Sequence, residues 1–97
     1  VIPTTPVDLE RIRVYTSNTT LEQRRQLSKT IPGYTVYMTN GWWEGEFEHS
    51  EVFELLTASD EEGELFIGFV VGFGQENGEQ AIIVTREPAQ LTSWFRQ

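Results

Sequence analysis

The sequence predicts an α+β domain with the element order β-α-β-β-α-β. Three observations carry this. Short β-prone segments stand at residues 10–16, 34–39, 51–57 and 80–86. Capping-box pairs open two further segments with apolar residues at helical spacing. Gly and Pro punctuate the junctions, as at Pro32-Gly33 and Pro88.

Residues 1–9 are read as an extended N-terminal tail and residues 10–97 as a single α+β domain. Pro3 and Pro6 lack the N–H that a helix or a central strand needs. From residue 10 the chain alternates: Ile12, Val14 and Thr16 on one side, Arg11, Arg13 and Tyr15 on the other. A helix follows, opened by Thr20 with Gln23 or by Thr19 with Glu22, and stopped at Pro32-Gly33. Its apolar stripe is thin, with Leu27 and Ile31 sharing a face, so it covers one side of a sheet. Tyr34 to Thr39 then alternates, and Asn40-Gly41 signals a turn or bulge. With the strand at 51–57 these residues form an antiparallel pair.

Residues 59–73 admit two readings. Ser59 with Glu62 forms a capping box, and Leu65, Phe66, Phe69, Val70 and Phe73 recur with helical spacing. Gly63, Gly68, Gly72 and Gly74 oppose a helix, each by about 1 kcal/mol relative to Ala. The alternative is a strand over 64–73 that turns at Glu76-Asn77-Gly78, leaving a mainly β domain with one helix. On the helical reading, Gly68 and Gly72 form a smooth stripe for close packing on the sheet. Residues 80–86 are the clearest strand, ended by Pro88, and Leu91, Trp94 and Phe95 form a short apolar tail that docks onto the body or a neighbouring subunit. The helical reading yields the ferredoxin-like βαββαβ fold, a four-stranded antiparallel sheet with two helices on one face. The other face is bare unless something covers it.

Bulk properties exclude several functions. The 97 residues are enough for one domain. The chain is 38% hydrophobic and 12% aromatic, which suits a folded protein. It has no cysteine, which removes disulfides, thiol nucleophiles and thiolate metal sites and favours a cytoplasmic setting. No apolar run approaches the roughly 18 residues of a membrane span. Net charge is −8. No Lys or Arg stands between Lys29 and Arg86, whereas 11 carboxylates lie from Glu44 to Glu79. Direct binding to nucleic acid, which needs clustered cations, is therefore not expected.

The stretch G-W-W-E-G-E-F-E-H-S-E-V-F-E-L-L, followed by G-F-G-Q-E-N-G-E-Q-A-I-I-V, resembles small bacterial ferredoxin-fold proteins allied to the nitrogen-regulatory PII and CutA proteins. The matching residues are Gly41, Trp43, Glu48, Ser50, Phe73, Gln75 and Glu76. The resemblance spans roughly residues 10–86. It implies an oligomer, generally a trimer, that binds nucleotides or partner proteins between subunits. Nucleotide binding itself is not carried over, because no basic residue stands at the matching positions.

Candidate site residues gather in the middle of the chain and near its last residues. Trp42, Trp43 and Phe47 form the densest aromatic cluster. In a strand Trp42 and Trp43 face opposite ways, so at most one enters the core and the other is an exposed interface anchor; the alternative is that both are buried at a bulge near Gly41 and Gly45. Glu48 and Ser50 share a face, and Glu44 opens the acidic run from Glu44 to Glu64. That run serves solubility, docking of a basic protein, or mimicry of nucleic-acid charge. His49 is the only histidine. Phe47 and Glu51 share its face, and no metal site or catalytic set is assigned to it. Trp94 and Phe95 complete the set of interface or ligand-binding candidates. The expected function is a non-enzymatic binding or regulatory domain that self-associates and binds a protein or small ligand without a cofactor. The alternatives are an acidic, phage-type inhibitor of a host protein, and a small-molecule-binding oligomer with intersubunit pockets.

Overall fold

The computed structural model describes the backbone of residues 2–94 and the side chains of residues 5–92. Strand β1 runs Ile2–Thr16, helix α1 Leu21–Ser28, β2 Thr35–Trp43, β3 Glu46–Thr57, helix α2 Asp60–Glu76 and β4 Ile83–Trp94. The four strands form one antiparallel sheet in the order β2-β3-β1-β4. This is the ferredoxin-like arrangement predicted from the element order.

The alternation in β1 sorts the layers. Ile12 and Val14 are fully buried under the helices, and Phe53 and Leu55 of β3 join them. Leu27 and Ile31 come down from the α1 side, and Phe66, Val70 and Phe73 from α2, to close a single core. Each fully buried apolar side chain of this size contributes about 1.5–3 kcal/mol. Among the described residues no helix is long and apolar enough to cross a membrane.

Residues 60–76 are a helix despite their glycines, because Ser59 caps the Glu62 amide and acid fills the first turn. The close approaches are not at Gly68 and Gly72, where an added Cβ would meet nothing within 4 Å. They are at Gly63 and Gly74. A Cβ at Gly74 would stand 2.5 Å from Ile82 Cδ1 and 2.9 Å from Thr16 Oγ1. Gly74→Ala should therefore destabilise by about 1–2 kcal/mol, overpacking outweighing the gain in helix propensity. Gly68→Ala should instead stabilise by up to about 1 kcal/mol. Paired thermal melts check both signs.

Several boundaries differ from those read in the sequence. β1 begins at Ile2, so the segment taken as a tail pairs with β4, as in Val7↔Leu91 and Asp8↔Gln90. Beyond Glu10 toward its start, β1 has no partner from β3, and the register shifts between Pro3 and Val7. A strand flank open on one side and a bulge are where proline is tolerated. The same reason explains β4, which continues past Pro88 because it is an edge strand. Pro88 pairs with Glu10. The hairpin turns at Glu44-Gly45, both at positive φ (49° and 82°), while Asn40 and Gly41 pair with His49 and Glu48 inside the ladder. That is the two-residue turn whose twist suits a hairpin. At α1 the capping box is Thr20 with Gln23; Thr19 is bound by Glu51 instead. Trp94 ends β4. Its side chain and Phe95, both named among the interface candidates, lie outside the described residues.

Candidate functional site

The sheet face away from the helices carries a charge ladder across three strands. Arg13 Nε donates to Glu54 Oε1 at 2.8 Å, and its Nη1 to Glu87 Oε1 at 2.9 Å. Arg11 Nη1 donates to the same Glu87 oxygen at 3.3 Å. Two guanidiniums and two carboxylates thus offset one another on the face that the helices leave bare.

At one end of the sheet the pattern changes. The β2–β3 hairpin projects there beside the end of β1 and the segment between α2 and β4. A cleft of about 550 Å³ opens between them. Its size falls in the range of small-molecule sites. β1 and the residue after it supply Tyr15, Thr16 and Ser17; β2 supplies Thr39, Asn40, Gly41, Trp42 and Trp43; β3 supplies Glu48 and Ser50. The remaining wall is Gly78, Glu79, Gln80, Ala81 and Ile83.

Local chemistry holds that wall in place. Gly78 adopts φ +82° and turns the chain out of α2, with the Glu79 amide donating to the Gly74 carbonyl at 2.9 Å. Asn77 Nδ2 donates to the Asn18 carbonyl at 3.0 Å and to Gln23 Oε1 at 3.1 Å. Gln23 Nε2 in turn donates to Glu76 Oε2 at 3.0 Å. The start of α1, the end of α2 and the loop after β1 are therefore tied together behind the cleft. Gln23 and Glu76 act here as struts, and Phe73 lies in the core.

The Ser17 hydroxyl donates to the Glu79 carboxylate. Burial pushes the Glu79 pKa above the ordinary carboxylate value, the charge of Glu48 pushes it further, and a hydrogen bond from the Ser17 backbone amide opposes both. A raised folded-state pKa means that the folded protein holds this proton more tightly than the unfolded chain. Ionising Glu79 thus costs stability as pH rises above about 4.5 through the raised value. Glu79→Gln should raise the melting temperature at pH 7 slightly, and the gain should vanish near pH 4. Melts of both proteins across that interval check it.

The aromatic cluster stands on the hairpin. Trp42 is 73% exposed, Trp43 48% and Phe47 49%, so neither tryptophan enters the core, and burial of both at a bulge is overturned. The hairpin runs past the helices, which leaves no layer to cover either ring. Trp42 meets Phe47 edge-on at 5.5 Å, and Phe47 meets His49 at 5.1 Å. His49 Nδ1 lies 2.9 Å from Asn40 Oδ1. Glu51, on the same face of β3, is buried and accepts from Thr19. Among the described residues no group of three His, Cys, Asp or Glu is placed to hold a metal.

Of the candidates read in the sequence, the cleft brings together Trp42, Trp43, Glu48 and Ser50. Glu44 sits apart at the hairpin tip, and Phe47 backs Trp42 without lining the cleft. Tyr15, Thr16, Ser17 and Glu79 were missed. Thr16 is 3% exposed, and its hydroxyl is buried without a hydrogen-bond partner.

No family model matches the chain, and no curated protein matches it in sequence. Solved structures do match in fold. CPII, a nitrogen regulatory PII-like protein from Thiomonas intermedia K12 bound to ADP, AMP and bicarbonate, aligns with a TM-score of 0.61 at 14% identity, over 94% of this chain and 100% of its own. The fold is that of the PII-like and CutA-like proteins. The periplasmic divalent cation tolerance protein CutA from Archaeoglobus fulgidus aligns at 0.52 and 14% identity, over 84% of this chain and 83% of its own. LarC2, the C-terminal domain of a cyclometallase involved in the synthesis of a lactate racemase cofactor, aligns at 0.54 and 15% identity, over 91% of this chain and 58% of its own. At such identities the likeness is one of fold alone.

Proposed function

We propose that this chain is a non-enzymatic regulatory protein that assembles as a homo-oligomer, with a trimer expected, and binds a small ligand in the cleft. The observation that carries the reading is the cleft itself. It gathers the motif residues Gly41, Trp43, Glu48 and Ser50 opposite Ser17 and Glu79, which lie far from them in sequence. The fold supports it, since CPII, of the same fold, is bound to ADP, AMP and bicarbonate. The non-enzymatic part rests on chemistry. Ser50 has no histidine base beside it, because His49 faces the other side of the sheet and is held on Asn40.

Native mass spectrometry of the gently purified protein tests the reading. A multiple of 11.2 kDa with added ligand mass is the expected result. A bare monomer would overturn it. That outcome, with stoichiometric capture of a basic protein, would favour the acidic inhibitor, for which the exposed tryptophans and carboxylates of the hairpin would be the docking surface.

A further inference from the structure

The cleft has a definite chemical bias. No Lys or Arg lines it among the described residues. The nearby cations are engaged elsewhere: Arg11 and Arg13 with Glu54 and Glu87, Arg86 with Glu10 and Glu64, and Arg24 with the buried Glu51. Glu48 and Glu79, by contrast, share the cleft without a cation in its wall. Two like charges on one cleft favour a ligand that neutralises both.

The other groups narrow the class. Indole faces attract cations and cover methylene stems. Here two exposed tryptophans line the cleft, and Trp42 is held edge-on by Phe47. The Ser50 hydroxyl, on the same face of β3 as Glu48, adds an acceptor to the wall. A bare metal ion fits poorly, since two carboxylates fall short of the six to eight oxygens such ions gather. A phosphate would meet two carboxylates with no cation to offset them.

We infer that the cleft takes a small organic cation of the alkylammonium class, its charged head held between Glu48 and Glu79 and its carbon stem against Trp43, which shares the Glu48 face of the hairpin. The inference rests on the reading of the cleft as a ligand site and names the ligand's class. An ammonium head brings three donors, and the two carboxylates with the Ser50 hydroxyl are acceptors.

The test is a tryptophan-fluorescence titration of the full chain with putrescine, and separately with ADP, in buffer with enough salt to screen diffuse attraction. Putrescine should saturate the signal. Glu48→Gln and Glu79→Gln should each weaken it about tenfold or more, while Glu44→Gln at the hairpin tip leaves it unchanged. Melts of the three variants, each a change at the surface or cleft rim, verify that they fold. No saturation by putrescine, or equal weakening by Glu44→Gln, overturns the inference. Saturation by ADP alone, abolished by Trp43→Ala, also overturns it but leaves the cleft a ligand site. Loss of the ligand-site reading itself would show separately, as absence of any bound mass in the native spectrum.

Discussion

Phe53→Ala is expected to lower the unfolding free energy by about 3–5 kcal/mol. Phe53 is fully buried in β3, opposite Val14 on one side and Val36 on the other. Its ring stacks on Tyr34 at 6.0 Å, and Tyr34 leans on Phe66 at 6.3 Å. Removing it opens a void where three elements meet, and the sheet ladders on both sides of β3 keep the backbone from collapsing into it. A domain of this size has about 5–15 kcal/mol in total, so the variant should be marginal. Denaturant unfolding checks it through a lower midpoint at unchanged slope. Phe47→Ala is the control, with the same residue type on the same face of the same strand. It loses two edge contacts at the surface, to Trp42 and His49, and should cost less than about 1.5 kcal/mol.

Glu51→Ala is expected to cost about 2–4 kcal/mol. One carboxylate oxygen accepts the Thr19 amide at 2.7 Å, and the other accepts the Thr19 hydroxyl at 2.9 Å. Arg24 Nη1 stands 3.9 Å away, too far for a strong pair but close enough to favour the charge. The residue is only 4% exposed, so truncation leaves a buried amide without an acceptor. Glu51→Gln keeps an acceptor for that amide and should recover part of the loss. Hydrogen exchange at the Thr19 amide reads the effect directly: protection should fall sharply in the Ala variant, whereas a merely packing role for Glu51 would leave it intact.

The sequence-to-structure comparison turns on what is local. Helix α2 is legible because its signals are adjacent: a capping box, three acids and an apolar stripe outweigh four glycines. Gly63 and Gly74 even serve the fold by letting α2 approach Ile12 and Thr16. The two-sided character of β1 is equally plain from its alternation. The extents of β1 and β4 are not legible, because a proline forbids a strand only when both its flanks are bonded. Which flank is free depends on the strand order. The same limit applies to the cleft. Trp42, Trp43, Glu48 and Ser50 stand together on one hairpin and share a motif. Tyr15, Thr16, Ser17 and Glu79 carry no local mark, and Ser17 meets Glu79 across 62 positions. Only the folded sheet brings them together.

The strand order also governs when the molecule becomes safe from itself. β1 is one of the sheet's two interior strands, yet its β4 flank is closed by long-range contacts, such as Glu10 with Arg86 and Asp8 with Gln90, 76 and 82 positions apart. During synthesis, a nascent chain that has passed α2 already holds both helices and three strands. It still presents the long flank of β1 as a row of unpaired amides, a template for pairing with another chain. Closing that flank waits on the largest loop in the fold, a step that topology makes slow. When β4 arrives it replaces an open flank with one bearing Arg86, Glu87 and Pro88, residues that discourage strand addition. The last 12-residue strand thus acts as a late-arriving guard against aggregation.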